Sequence, residues 1–187
     1  MACTLEVLES AQYLDCYEKQ DSGLTDLGTI WDPQDIETYP TNWGNAVAGS
    51  GITAFENKLT ITGNITMKTN KKPLKVPCII DKNSYSAKSK GNSWEPEVKV
   101  QIQKTLHNEG LVDGLLGRRF LFGFQENDGP LRILGRGNGV TTGYMAMIKP
   151  DSINIVGGEG TGAEKYIEFV VTAKKYLPPV YTGTITY

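Results

Sequence analysis

The stretch Glu97-Val-Lys-Val-Gln-Ile-Gln103 decides the fold class of this chain. Val98, Val100 and Ile102 alternate with charged and amide side chains, and successive side chains of a β-strand point to opposite faces of a sheet. Residues 58–68 repeat the period of two, with isoleucines and threonines on opposite sides. The pattern predicts strands that turn one face to a core and the other to water or to a neighbour.

Outward from this stretch, glycine and proline turns separate further apolar runs. The strands that we predict lie at 59–67, 74–80, 94–104, 118–125, 131–136, 144–148, 152–156, 166–174 and 182–187. Pro77 has no backbone N–H to donate, so its strand is expected to lie at a sheet edge or to begin again after a bulge. Asn108 is expected to cap one short helix over residues 109–116. The fold class is therefore mainly β, an antiparallel β-sandwich or small barrel with one short flanking helix.

The N-terminal region differs in composition from the rest of the chain. Residues 1–57 are predicted to form an irregular arm or loop region, and residues 58–187 the β-domain, within a single domain overall. Residues 21–51 are rich in turn-forming glycine, proline, asparagine and aspartate, yet they carry large apolar side chains. We expect this segment to be an assembly arm. The side chains expected at a contact between subunits are Trp31, Ile36, Trp43 and, from the β-domain, Trp94. The alternative is that they pack in the core of their own subunit.

Charge and cysteine content narrow the possible functions. The 187 residues carry a formal net charge of -2, without the basic excess that attracts nucleic acid phosphates. The three cysteines are odd in number and widely spaced, which favours reduced thiols over a disulfide framework. The first residues do not resemble a signal peptide, and no run approaches the ~20 apolar residues of a membrane helix. We expect a soluble protein that is made in a cytosol and has no membrane anchor.

Two features resemble catalytic or ligand sites but are incomplete. The segment Gly157-Gly-Glu-Gly-Thr-Gly162 lacks the Lys-Ser/Thr and the following helix of a phosphate-binding loop, so a hairpin loop is expected. His107 is the one histidine, and no nucleophile can be paired with it. No CxxC pair supports a zinc site. We therefore expect no catalytic residues, no metal and no cofactor, and a protein that is not an enzyme.

The order of several segments resembles the tail tube proteins of bacteriophages and related phage tail or connector ring proteins. The segments that carry the resemblance are Asp81-Lys-Asn-Ser-Tyr85, Gly91, the helix at 111–116, Arg118-Arg-Phe-Leu-Phe-Gly-Phe124, Asn127-Asp-Gly129 and Leu131-Arg-Ile-Leu-Gly135. The resemblance covers roughly residues 59–173 and does not extend to residues 21–51, which leaves a connector, adaptor or tail-tip ring open.

The resemblance implies a virion structural protein with the fold of a β-sandwich or small barrel. It implies subunits that join sheet to sheet into rings, expected as hexamers, which stack into or join a tail tube through which the genome passes. The partners would be other copies of the chain and other tail proteins, while genomic DNA would transit without specific binding. The protein would be assembled in the bacterial host cytoplasm and end in the virion tail.

A second hypothesis is a carbohydrate- or ligand-binding β-sandwich module of a virion or bacterial accessory protein. It would need the three tryptophans, Trp31, Trp43 and Trp94, to be exposed and co-planar, so that sugars could stack on them. A third hypothesis is a small enzyme of another type, which the single histidine disfavours.

Overall fold

The structure is a computed structural model that describes residues 5–8, 11–14, 24–25, 27–40, 59–79, 82–127, 129–136, 144–158 and 164–187. Its strands are β1 (Leu5–Leu8), β2 (Ala11–Leu14), β3 (Leu27–Trp31), β4 (Ile36–Thr38), β5 (Thr60–Ile61), β6 (Thr66–Met67), β7 (Leu74–Pro77), β8 (Ser84–Lys90), β9 (Ser93–Gln103), β10 (Leu121–Gln125), β11 (Leu131–Arg136), β12 (Tyr144–Met145), β13 (Met147–Ile148), β14 (Asn154–Val156), β15 (Tyr166–Thr172) and β16 (Val180–Tyr181). The helix α1 spans Leu106–Leu115.

Two sheets make up the body of the molecule. A seven-stranded sheet has the order β5-β16-β11-β10-β3-β7 with β12 beside β11, and a five-stranded sheet has the order β13-β15-β9-β8 with β14 beside β15. All pairs in these two sheets are antiparallel except β5 with β16, which are parallel. The predicted mainly β class with one short helix is confirmed, and within the described residues neither sheet closes into a barrel.

The main core lies between the two sheets. The five-stranded sheet contributes Val98, Val100 and Ile102 from β9, which are fully buried as their alternation predicted. They pair in register with β15, where Phe169 lies opposite Val100. Phe122 from β10 joins the same cluster from the seven-stranded sheet. Burying such side chains stabilises the fold by about 1.5–3 kcal/mol each.

Helix α1 packs one side against this core through Val112 and Leu115. Its N-cap is Thr105, whose side-chain oxygen accepts a hydrogen bond from the backbone N–H of Asn108 at 3.1 Å. The predicted cap, Asn108, is thus wrong by three residues. Asn108 is instead fully buried and donates from its amide nitrogen to the carbonyl oxygen of Gln103 at 2.8 Å.

A second core covers the outer face of the seven-stranded sheet. The buried members of this second core are Trp31, Ile36, Ile61, Ile65, Leu121, Ile133, Met145 and Tyr181. Strand alternation explains the division, because Leu121 and Phe122 are neighbours in β10 and point to opposite faces. Gly123 leaves room for the indole of Trp31, since a Cβ atom at this position would lie 2.7 Å from a ring carbon. The seven-stranded sheet is therefore buried on both faces near its centre.

The region predicted as an irregular arm contributes to this sheet. Strand β3 pairs with β10 on one side and with β7 on the other. Trp31 is 2% exposed and Ile36 is 5% exposed, both inside the second core of the same subunit. This corrects the prediction of an irregular arm for residues 27–31, because the strand is needed to complete the sheet. Strand β7, which carries Pro77, lies at the end of the sheet as predicted.

The strand predicted over residues 59–67 is also corrected. The chain forms the short strands β5 and β6, and Gly63 between them has a φ of +96°, a left-handed conformation that glycine adopts readily. The side-chain oxygen of Asn64 accepts a hydrogen bond from the backbone N–H of Thr184 at 2.9 Å. Ile61 and Ile65 nevertheless both reach the second core, as their alternation predicted.

Candidate assembly surface

Strand β8 forms one open edge of the five-stranded sheet. It pairs with β9 on one side, and no other strand in the described part of the chain lies against its second side. The hairpin between β8 and β9 turns at Gly91, which has a φ of +58°. Tyr85 fixes β8 to the body of the molecule, because its ring lies 5.1 Å from the ring of Phe124. An open edge presents backbone N–H and C=O groups to which another strand can bind.

The opposite edge of the same sheet is built from two short strands. Both β13 and β14 pair with β15. Ile155 in β14 is 49% exposed, an apolar side chain at an edge that has no further strand among the described residues. The five-stranded sheet thus ends in two edges of different kinds, one long and polar and the other short and partly apolar.

Ion pairs cover the outer face of the five-stranded sheet. Three carboxylates are each paired with one lysine: Lys99 with Glu168 at 2.8 Å, Lys149 with Glu97 at 2.7 Å and Lys90 with Glu95 at 3.2 Å. These exposed pairs contribute little to stability individually, about 0–1 kcal/mol. Together they balance positive and negative charge across the face.

Glu168 is the best-connected carboxylate of this face. Burial acts to raise the pKa of Glu168, but hydrogen bonds from Lys99 and Gln101, together with the charge of Lys99, outweigh it and lower the pKa below its ordinary value of 4.5. The backbone N–H of Gln101 also donates to the side-chain oxygen of Asn83 at 2.8 Å. This network holds the polar side chains of the outer face in fixed positions.

Of the four side chains predicted at a subunit contact, Trp94 alone is both described and exposed. It is 39% exposed at the β8–β9 end of the sheet, and its backbone exchanges two hydrogen bonds with Lys175, at 2.8 and 3.2 Å. Trp31 and Ile36 differ from our expectation, because their own subunit already covers them. Trp43 lies outside the described residues. A sugar-stacking platform of three tryptophans is excluded by the burial of Trp31.

A cation–aromatic cluster beside Trp94 was not predicted from the sequence. It consists of Arg136, Tyr144, Lys175 and Tyr176. The Arg136 guanidinium lies 4.1 Å from the centre of the Tyr176 ring, and the Lys175 ammonium lies 4.7 Å from the centre of the Tyr144 ring. The two tyrosine rings pack edge to face at 5.4 Å. The one sequence signal was the adjacency of Lys174, Lys175 and Tyr176, since the other members come from distant positions.

His107 and the glycine-rich segment are the two incomplete motifs of the sequence. His107 is exposed in the first turn of α1, and Cys78 is buried in the main core. Of the glycine-rich segment, Gly157 and Gly158 are described and the remainder lies outside the described residues. Among the described residues, no group of three or more histidine, cysteine, aspartate or glutamate side chains is arranged to hold a metal ion. No helix in the described part of the chain is long and apolar enough to span a bilayer.

Comparison with family models, with curated proteins and with solved structures finds no match for this chain.

Proposed function

We propose that this chain is a virion structural protein that assembles through the edges of its five-stranded sheet into rings of a phage tail tube. The open edge of β8 is the observation that carries the proposal. Rings of this kind would form when β8 of one subunit pairs with β13 and β14 of the next, which extends the sheet from copy to copy. Such a contact is head-to-tail, and it closes into a ring when the rotation between neighbours divides a full turn.

The paired charges on the outer face of the five-stranded sheet fit a channel through which the genome passes. In a closed ring, one face of the extended sheet would line the channel. Three lysines of this face are paired with Glu95, Glu97 and Glu168, and Lys88 is the one described lysine of strands β8 and β9 on this face that has no carboxylate partner, so little positive charge is left free. DNA phosphates would then pass without being held, since their attraction to proteins comes mainly from unpaired lysine and arginine.

The width of the sheet is compatible with the expected hexamer. Across the sheet the order β13-β15-β9-β8 is four strands wide. Six copies would give a closed sheet of about 24 strands, and at ~4.8 Å per strand the backbone cylinder would be roughly 35 Å across. Subtracting the side chains leaves a channel of about 25 Å, wide enough for a DNA duplex. The tail tube would lie in the virion, and assembly with other tail proteins would occur in the host cytoplasm.

Two neighbouring proline substitutions in β8 test the proposal with a built-in control. Successive backbone N–H groups of a strand point to opposite sides, so Ser86→Pro and Ala87→Pro remove one donor facing β9 and one facing outward. We expect the variant that loses the outward N–H group to form no rings in negative-stain electron microscopy, while the melting temperature of its subunit stays nearly unchanged. The inward substitution should lower the melting temperature.

Wild-type protein should form rings or higher oligomers in the same images and in sedimentation velocity. A wild-type chain that stays monomeric at high concentration would overturn the proposal. So would two proline variants that both keep their stability and both assemble as the wild type does.

A further inference from the structure

The cation–aromatic cluster concentrates positive charge at one end of the sandwich. The Lys175 ammonium donates a hydrogen bond to the Tyr144 hydroxyl at 3.1 Å and lies 5.3 Å from the centre of the Tyr176 ring, on which Arg136 also lies. Lys174 adds a third positive charge. Lys175 has a φ of +80°, a left-handed conformation that is unfavourable for lysine and is held by its backbone hydrogen bonds to Trp94.

These cations are brought together without carboxylate partners for the two lysines. No carboxylate in the described part of the chain forms an ion pair with Lys174 or Lys175. Arg136 is partly buried, and this burial lowers the pKa of its guanidinium from the ordinary value. A guanidinium is weakly hydrated and forms strong, charge-assisted hydrogen bonds with carboxylates, and the two exposed lysines add positive charge beside it. Tyr144, 37% exposed, adds an accessible ring beside them.

The same chain carries an acidic segment of matching charge. Residues 1–26 contain six acidic and one basic residue, a net charge of -5, while residues 27–187 contain fifteen acidic and eighteen basic residues, a net charge of +3. The two values add to the -2 of the whole chain. The net negative charge of this protein thus comes from the N-terminal segment, whereas the part of the chain that carries the cluster has a small net positive charge.

Within one subunit, the described part of the acidic segment lies away from the cluster. The hairpin of β1 and β2 contacts β7 and α1. Strand β7 is separated from β11, which carries Arg136, by the two intervening strands β3 and β10. At ~4.8 Å per strand this is roughly 15 Å across the sheet. For this reason we place the contact between the segment of one copy and the cluster of another.

We propose that residues 1–26 of one copy dock on the cation–aromatic cluster of the next copy. Carboxylates of the segment would accept hydrogen bonds from the Arg136 guanidinium and the Lys175 ammonium, and the exposed faces of Trp94 and Tyr144 would cover the contact. This inference rests on the proposed ring assembly. It adds a second, electrostatic contact to the sheet-edge contact, and this second contact sets the orientation of one subunit relative to the next.

The docking is tested by reversing charges in the cluster, in the N-terminal segment, and in both together. The cluster variant carries Lys174→Glu and Lys175→Glu, the segment variant carries Glu9→Lys, Asp15→Lys and Glu18→Lys, and the combined variant carries all five changes. A control variant carries Arg119→Glu and Lys165→Glu, two exposed residues outside the cluster, with Lys165 at the opposite end of β15 from Lys175. Self-association is measured by sedimentation velocity over a range of concentrations, and folding by thermal melts.

The expected result is that the cluster and segment variants each weaken self-association by about tenfold or more, that the combined variant regains most of it, and that the control stays near wild type. If the cluster variant weakens association and the combined variant does not regain it, the occupant is another anionic group and the inference is overturned. Variants that associate like the wild type overturn it as well, while the proposed ring function stands. A wild-type chain that does not self-associate overturns both.

Discussion

The two sheets of this sandwich use the same backbone geometry for different purposes. The seven-stranded sheet is buried on both faces, because the second core covers the side that the five-stranded sheet does not reach. The five-stranded sheet is buried on one face and carries paired charges on the other, and among the described residues no further strand pairs with β8 or with β13 and β14 at its edges. The seven-stranded sheet thus takes part in both cores of the subunit, and we propose that the five-stranded sheet is the one that meets neighbouring subunits.

The largest difference in the free energy of unfolding is expected between alanine substitutions of Trp31, which packs on the seven-stranded sheet, and Trp94, which lies in the five-stranded sheet. Trp31→Ala removes a large side chain from the second core and should lower the free energy of unfolding by about 3–5 kcal/mol. Trp94→Ala, at the exposed end of the five-stranded sheet, should lower it by less than about 1 kcal/mol. Urea denaturation of the two variants measures the difference. Equal losses for both would remove the distinction between the sheets.

A smaller effect is expected at Gly123, which makes the close contact within the seven-stranded sheet. A methyl group there would lie 2.7 and 2.8 Å from two carbons of the Trp31 ring, so Gly123→Ala should destabilise by about 1–3 kcal/mol. Gly114 in α1 is the matched control, because a Cβ there meets nothing within 4 Å. Gly114→Ala should stabilise by about 0.5–1 kcal/mol through helix propensity. A neutral Gly123→Ala in thermal and urea melts would show that the indole is not fixed against β10.

The smallest effect concerns the polar face of the five-stranded sheet. The pKa of Glu168 is lowered in the folded protein, so its ion pair with Lys99 contributes stability above the unfolded pKa, near 4.5, and loses it as the pH falls through the folded pKa. Glu168→Gln should therefore be less stable than wild type at pH 7, by up to about 1 kcal/mol, and equally stable near pH 2. Urea melts at both pH values measure this. Glu164→Gln, an exposed carboxylate before β15, serves as the control. A difference that persists at low pH would assign the effect to packing.

The difference between a sheet that is buried on one face and a sheet that is buried on both faces explains which strands could be predicted from the sequence. Strand β9 alternates because one face meets the core and the other meets water, so a period of two is visible in its residues. The hairpin of β10 and β11 was predicted from its turn residues and apolar runs, and its register pairs Phe122 with Leu134. These features depend on neighbours in the sequence.

Strand β3 was missed because it is buried on both faces, which removes the alternation, and because turn residues surround it. The contact of Trp31 with Gly123 joins residues from distant parts of the chain, so no local sequence pattern indicates it. Trp94 is exposed, and its predicted place at a subunit contact stays a prediction. The cluster around Tyr176 could not be predicted, because it depends on strands that pair only in the folded protein. The virion function, the ring and the lack of enzymatic activity stay predictions.

Hydrogen–deuterium exchange of the free and assembled protein tests most directly whether the five-stranded sheet joins subunits through its edges. Peptides that cover β8 and β14 are followed at low concentration and in isolated rings, with β10 as the internal reference, because it is paired on both sides within the subunit. Backbone amides that point outward from an open edge exchange fast until they donate hydrogen bonds to the carbonyl oxygens of another strand. We predict that assembly slows exchange in β8 and β14 and leaves β10 unchanged. Rings in which β8 exchanges as fast as in the free subunit would contradict the account.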